Sequence, residues 1–219
     1  MAIVHLVRHG QAAFGTGDYD RLTELGHEQS RWLGEYFAGR GVRFARVMTG
    51  NLRRQKETAA AMLEAFTEAT SPIHDGCLDE YRAREILHAH GYSAGQTQAR
   101  EYFQQLRAAL LAWSSGTLAG GVTESWADFG ARIERALRAC VADLPREADV
   151  LLVTSGGVIS RAVTDALGAA PNMAIELNLQ TRNTGVTELL VGARTTRLMS
   201  FNAVPHLEHS DRRHALTYT

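Results

Sequence analysis

The chain has 219 residues, 45% hydrophobic and 21% charged, and no run of apolar residues approaches the length of a membrane-spanning helix. Its 23 basic and 24 acidic residues leave a net charge of −1, so no global field would hold it on nucleic acid or on an anionic membrane, and any anion site must be local. These values predict one soluble globular domain, residues 1–219, with a sizeable core.

Cys77 and Cys140 lack CxxC spacing and form no disulfide framework, and the chain opens on a strand rather than on a basic segment followed by a long apolar one. Both features point to the cytoplasm. Apart from Lys56 the basic residues are all arginine, scattered and balanced by acids, which reads as compositional bias.

Ile3 to Val7 is an apolar run that predicts a buried strand, with Arg8-His9-Gly10 at its end. The polar stretch Gln11 to Asp20 predicts a loop. Leu22-Thr23-Glu24-Leu25-Gly26 then leads into a helix with Trp32, Leu33, Tyr36 and Phe37 at helical spacing. Phe44 to Thr49 predicts a second strand and Asn51 to Phe66 a second helix, with Leu52, Ala59, Met62 and Leu63 on its apolar face. Pro72 and Gly76 bound a short segment ending in Cys77-Leu78. Residues 79–121 are polar, with a helix at about Gln96 to Trp113 and a Gly/Ser-rich break at Ser114 to Gly121, and read as an insertion over the sheet. A helix from Ser125 to Leu144 leads past Pro145 to Val150–Thr154, whose β-branched apolar character predicts a central parallel strand. Gly156-Gly157 opens another helix. Thr187 to Val191 and Arg197 to Phe201, separated by Gly192-Ala193, predict a hairpin, and the tail from Asn202 carries Pro205, His206, His209 and His214.

Strands alternating with helices predict an α/β fold: a three-layer sandwich with a mostly parallel central sheet, helices on both faces and a helical insertion over the active site. In such sheets ligands collect beyond the carboxyl ends of the parallel strands. Three segments fall at such ends: Arg8-His9-Gly10, Thr49-Gly50 with the helix carrying Arg54, and Thr154-Ser155-Gly156-Gly157. Phosphoryl transfer needs neutralised oxygens, an in-line nucleophile and a proton donor for the leaving oxygen. His9 is the candidate nucleophile, kept neutral by adjacent cations. Arg8 and Arg54 would clamp the phosphate through their planar donor forks. Helix amides after Gly10, Thr49 and Ser155 would add donors. Gly10 is expected to serve a sharp turn.

The chain resembles the histidine phosphatase superfamily, the phosphoglycerate-mutase-like group, over nearly its whole length. The motifs, in order, are LVRHGQ at 6–11, LTELGHEQ at 22–29, TGNLRRQKETA at 49–59, LDEY at 78–81 and VTSGGVISRAV at 153–163. The resemblance implies a phosphohistidine on His9, a phosphoryl group held by Arg8 and Arg54, and Glu80 as the acid/base residue, with Glu124 in GVTESW a lesser acid candidate. Family members usually carry a second histidine before the paired glycines after the late strand; here Ser155 stands there, followed by Gly156 at the phosphate. Serine donates one hydrogen bond without charge, and losing one preorganised donor costs about 10²- to 10³-fold in rate. His206 and His5 are the alternatives for a replacement histidine. Gln11, Tyr81 and His206 are candidate substrate-lining residues, and Arg82, Arg84, His88 and Tyr92 could line the entrance.

The spacing of His88 and His90 is a weak metal signal without a further ligand nearby, and the family needs no metal, so neither metal nor cofactor is expected. The function implied is hydrolysis of a small phosphate monoester. The alternatives are a phosphate-ester binding or regulatory protein with weak turnover and, less favoured, a phosphoglycerate-type mutase. Neither the substrate nor the oligomeric state follows from the residues.

Overall fold

A computed structural model describes residues 1–13, 19–92 and 99–218. In chain order the elements are β1 (Ala2–Arg8), α1 (Glu24–Gly39), β2 (Phe44–Thr49), α2 (Arg53–Leu63), β3 (Ile73–His74), α3 (Ala83–Ala89) and α4 (Ala99–Ser114). There follow α5 (Trp126–Cys140), β4 (Asp149–Thr154), α6 (Gly156–Leu167), α7 (Asn172–Asn178), β5 (Val186–Val191) and β6 (Thr196–Ala203). The sheet order is β3-β2-β4-β1-β5-β6. β1 to β4 run parallel to one another, and β5, antiparallel to β1, adds an antiparallel flank with β6. This is the mostly parallel α/β arrangement expected.

Side-chain alternation along the two central strands sorts the core into two layers. Val4 and Leu6 of β1 with Val150 and Leu152 of β4 face Phe129 and Ile133 of α5 and Val158 and Ile159 of α6. Val7, Leu151 and Val153 face the other way, onto Leu33 and Phe37 of α1 and Met62 of α2. Each such side chain contributes roughly 1.5–3 kcal/mol by leaving water. Both faces of β1 and β4 are therefore covered, which leaves their carboxyl ends as the place where polar chemistry can gather. The register pairs Arg8 with Thr154, and the His9 amide donates to Thr154 O at 2.9 Å. His9 and Ser155 thus emerge side by side.

Several boundaries differ from the sequence reading, each for a local reason. α2 begins at Arg53 rather than Asn51 because the Asn51 amide is held by Asp79 Oδ1 at 2.5 Å and Leu52 is extended. α5 begins after Ser125, whose hydroxyl accepts from Asp128 N while the Asp128 carboxylate accepts from Ser125 N. It stops at Cys140, not Leu144, and Asp143 nearby takes a positive φ of 60° that a helix cannot contain. The β5–β6 turn spans 192–195, longer than Gly192-Ala193, closed by Gly192 N donating to Thr195 O. α3, α7 and β3 were not expected, being 7, 7 and 2 residues long. Residues 96–98 of the predicted insertion helix, and residues 14–18 of the predicted loop at 11–20, lie outside the described residues.

Candidate active site

His9 sits just past the end of β1, buried, and its ring is held at both nitrogens. Nδ1 lies 2.8 Å from Gly10 O, and Arg54 Nε donates to Nε2 at 3.1 Å. A carbonyl oxygen only accepts and a guanidinium only donates, so Nδ1 carries the proton and Nε2 the lone pair. Burial first, then Arg54 and Arg8, drive the imidazole pKa well below its ordinary 6.5. The nitrogen facing the pocket is therefore the basic, neutral one. The backbone on either side is pinned: Asn183 Nδ2 donates to His9 O at 3.1 Å, and Gly10 N donates to Thr58 Oγ1 at 3.0 Å.

Gly10 is required for a different reason from the sharp turn expected. A Cβ there would stand 2.4 Å from Gly26 O of α1, so the glycine permits backbone to lie on backbone and its φ is not positive.

Arg54, the second residue of α2, is buried and anchored by Asp20 Oδ1 at 2.7 Å, with Tyr19 stacked 5.1 Å from its guanidinium carbon. Arg8 is oriented from behind: its NH1 donates to Thr181 O at 2.5 Å and to Tyr218 O at 2.6 Å. Its Nε is buried without a partner among the described residues. A Cβ on Gly156 would lie 3.6 Å from that Nε, which places the unmet donor beside the start of α6. A buried guanidinium N–H without an acceptor is unfavourable and points to an anion.

Glu80 reaches the same place from the segment after Leu78. Gly157 N donates to its Oε2 at 3.0 Å and Tyr81 N to its Oε1 at 3.1 Å. A Cβ on Gly157 would fall 2.3 Å from Glu80 Oε1 and 2.3 Å from the Tyr81 ring, so this glycine is what admits the carboxyl. Burial raises the Glu80 pKa above 4.5, outweighing the two backbone hydrogen bonds and the attraction of Arg54 and Arg8. Its protonated form therefore persists to higher pH than in a solvated glutamate. Because Gly157 N is spent on Glu80, that amide does not serve as an anion donor, and α1 begins at Glu24, well downstream of Gly10. The expected set of three helix N-termini around the anion is thereby reduced.

Glu124 does not enter the pocket. Both its oxygens are engaged by Arg132, at 2.5 and 3.1 Å, and Arg132 NH1 also donates to Cys77 O and Asp79 O at 2.8 and 2.7 Å. The pair holds the segment from which Glu80 projects, which corrects the reading of Glu124 as an acid. Tyr81 packs on Trp113 and Phe129, with its hydroxyl accepting from Asn178 Nδ2 at 2.9 Å. Gln11 is tied to α1: its amide donates to Gln29 Oε1 at 2.9 Å, and its Oε1 accepts from Thr23 Oγ1 at 2.8 Å.

Ser155 is buried and its Oγ accepts from Gln55 Nε2 at 2.9 Å. The two alternative histidines lie elsewhere. His5 bonds Asp149 Oδ1 at 2.7 Å, at the start of β4 and away from the strand ends, with Phe37 and Phe44 against its ring. His206 Nε2 lies 2.8 Å from Thr184 Oγ1, which itself donates to Asn183 O, so Nε2 is the donor, and the buried Nδ1 has no partner among the described residues. His88 and His90 are exposed at the end of α3, and among the described residues no group of three His, Cys, Asp or Glu could hold a metal. Nor is any described helix long and apolar enough to cross a membrane.

His206 makes a prediction about stability. Burial, then Arg212, lowers its pKa from 6.5 to about 3, so between these values the unfolded chain binds a proton that the folded one refuses. Stability from this site is fully present above pH 6.5 and is lost progressively as pH falls toward 3. His206→Gln keeps a donor for Thr184 without titrating. Its unfolding free energy is expected to fall less between pH 7 and pH 4 than that of the parent, by a kilocalorie or more on the order of one pKa unit. Parallel pH profiles in urea titrations would contradict this.

Sequence reasoning missed Thr58, Asn178, Thr181, Asn183 and Asp20. Thr58 lies in the quoted motif one helical turn after Arg54, and its hydroxyl donates to Arg54 O at 2.7 Å, so it was within reach. Asn178 ends α7, Thr181 and Asn183 follow it, and the stretch carries no periodic signal.

A mostly parallel α/β sheet with a neutral imidazole, two guanidiniums and a raised carboxyl at its strand ends defines an α/β protein with a cationic, histidine-centred pocket. The model of the histidine phosphatase superfamily (branch 1) matches residues 4–204, and the chain belongs to that family. A 2,3-bisphosphoglycerate-dependent phosphoglycerate mutase of Methylorubrum populi is 39% identical over 70 residues, covering 29% of this chain and only 33% of that relative. The phosphoserine phosphatase of Entamoeba histolytica, in complex with 3-phosphoglyceric acid, superposes with a TM-score of 0.69 at 21% identity, covering 94% of this chain and 100% of its own. A mycobacterial glucosyl-3-phosphoglycerate phosphatase gives 0.67 at 24%, covering 92% and 98%. At these identities the two structures establish the fold.

Proposed function

We propose that this chain, acting as one domain in a reducing, cytoplasmic setting with Cys77 and Cys140 as free thiols, hydrolyses a small phosphate monoester through a phosphohistidine on His9. The observation that carries the reading is the fixed tautomer of His9: a neutral Nε2 lone pair, flanked by Arg54 and by the unmet Nε of Arg8. On binding, the Arg54 N–H exchanges Nε2 for a phosphoryl oxygen, which uncovers the lone pair where phosphorus arrives. Nε2 forms the N–P bond as the P–O ester bond breaks, and Glu80 gives its proton to the leaving oxygen, releasing the alcohol. Glu80, now a carboxylate, takes a proton from water as that oxygen attacks phosphorus. The N–P bond breaks, inorganic phosphate leaves and Glu80 is reprotonated. Arg8, Arg54, Ser155 and the chain at Gly156 hold the phosphoryl oxygens, and Tyr81 and Gln11 stand toward the substrate; no cofactor or metal is called for. Phosphatases and a phosphoglycerate mutase both stand among the proteins to which the chain is similar.

The uncharged Ser155 favours one second reading, a phosphate-ester binding protein with weak turnover. Phosphate release under excess substrate separates them. Hydrolysis predicts linear release over many equivalents of enzyme from at least one of a set of phosphorylated metabolites, nucleotides and phosphopeptides. Release that stops at one equivalent supports binding, and interconversion of phosphoglycerate isomers without release supports a mutase.

A further inference from the structure

We propose that Gln55 is a positioning residue that aims the Ser155 hydroxyl proton at the phosphoryl group, an inference that rests on the hydrolytic reading above. Gln55 follows Arg54 on α2 and is fully buried. Its Nε2 donates to Leu78 O at 3.2 Å and to Ser155 Oγ at 2.9 Å. Because a carbonyl oxygen can only accept, the bond to Leu78 decides which end of the amide is nitrogen. Ser155 Oγ therefore receives a hydrogen from Gln55 and must send its own proton elsewhere.

Among the described residues neither the hydroxyl oxygen nor the hydroxyl proton of Ser155 is engaged by any group other than the Gln55 amide. Ser155 is the residue before α6, where a serine ordinarily turns its oxygen onto its own helix amides. Here it makes no such bond, and the Gly157 amide is taken by Glu80. Leu78 O already accepts from both Gln55 and Thr154 Oγ1 at 2.6 Å. Among the described residues Ser155 has one side-chain partner, the Gln55 amide, in which it is the acceptor. A buried O–H without an acceptor is unfavourable until one arrives. It stands just past the end of β4 beside His9, where an oxyanion bound at His9 would supply that acceptor. The amide thus converts a neutral serine into an oriented donor, which an unassisted hydroxyl rotor would not be.

The test is a double-mutant cycle on Ser155→Ala and Gln55→Leu, read by para-nitrophenyl phosphate turnover, by orthovanadate binding and by thermal unfolding of the whole chain. Ser155→Ala is expected to lower kcat/KM by about 10²-fold and Gln55→Leu by about 10-fold. The double variant should lose no more than Ser155→Ala alone, since Gln55 acts through the hydroxyl. A Gln55→Leu loss of the same size in the Ser155→Ala background, or a Ser155→Ala variant as active as the parent, overturns the proposal. Should the leucine variant fail to fold, Gln55→Glu is nearly isosteric. Its carboxylate only accepts and would draw the Ser155 proton to itself, so vanadate affinity should drop to the Ser155→Ala level; unchanged affinity refutes the assignment. If the parent releases no phosphate from any ester while vanadate binding still shows the non-additive cycle, the hydrolytic reading fails and the donor assignment stands.

Discussion

His9→Ala is expected to abolish the phosphoenzyme and to lower turnover by at least about 10⁴-fold. After a brief incubation with radiolabelled ester and denaturation in alkaline detergent, the parent should carry label that survives base and is released by acid, as a phosphoramidate is. The variant should carry none. The size of the effect follows from how completely the site is organised around one nitrogen. Gly10 O fixes the tautomer, two guanidiniums oppose protonation, and Asn183 and Thr58 hold the backbone on either side. A water molecule at the position of the lost ring would have the arginines but none of this orientation. Label retained in His9→Ala would assign the nucleophile elsewhere.

Glu80→Gln is expected to separate substrates by their leaving groups. An alkyl phosphate needs its leaving oxygen protonated and should lose roughly 10²- to 10⁴-fold in kcat, whereas para-nitrophenyl phosphate leaves without help and should lose far less. The pH profile gives a second reading of the same residue. His9 must be neutral and its pKa lies well below 6.5, so the acid limb is displaced to low pH. Glu80 must be protonated and its pKa is raised above 4.5, so the rate falls as pH rises through that raised value. The optimum for alkyl phosphates is therefore expected on the acid side of neutrality, and the alkaline limb should vanish in Glu80→Gln. Equal losses on both substrates would make Glu80 a substrate-positioning group rather than the proton donor.

How the candidate site was legible follows from chain geometry. Arg8-His9-Gly10, the helix carrying Arg54 and the Ser155-Gly156-Gly157 turn are each adjacent to an apolar run that only a buried strand explains. Parallel strands collect such ends on one side. Glu80 was legible only through motif resemblance, since nothing in residues 78–81 says that a carboxylate there is buried. Its raised pKa depends on Gly157 admitting it and on Arg132 and Glu124 bracing Cys77 and Asp79 from another part of the chain. Glu124 itself shows the converse: its sequence neighbourhood marked it as an acid, and its ion pair with Arg132 gave it a structural task.

By itself, then, the sequence determined the α/β order, the period-2 core strands and which cationic and nucleophilic residues fall at strand ends, because these depend on local periodicity and on breaks in it. Tertiary structure alone decided which nitrogen of His9 bears the proton, that His5 and His206 are turned away on Asp149 and Thr184, and that Ser155 meets Gln55. Those outcomes depend on hydrogen bonds between residues far apart in the chain, where one donor or acceptor from a distant element fixes an orientation that no local pattern encodes.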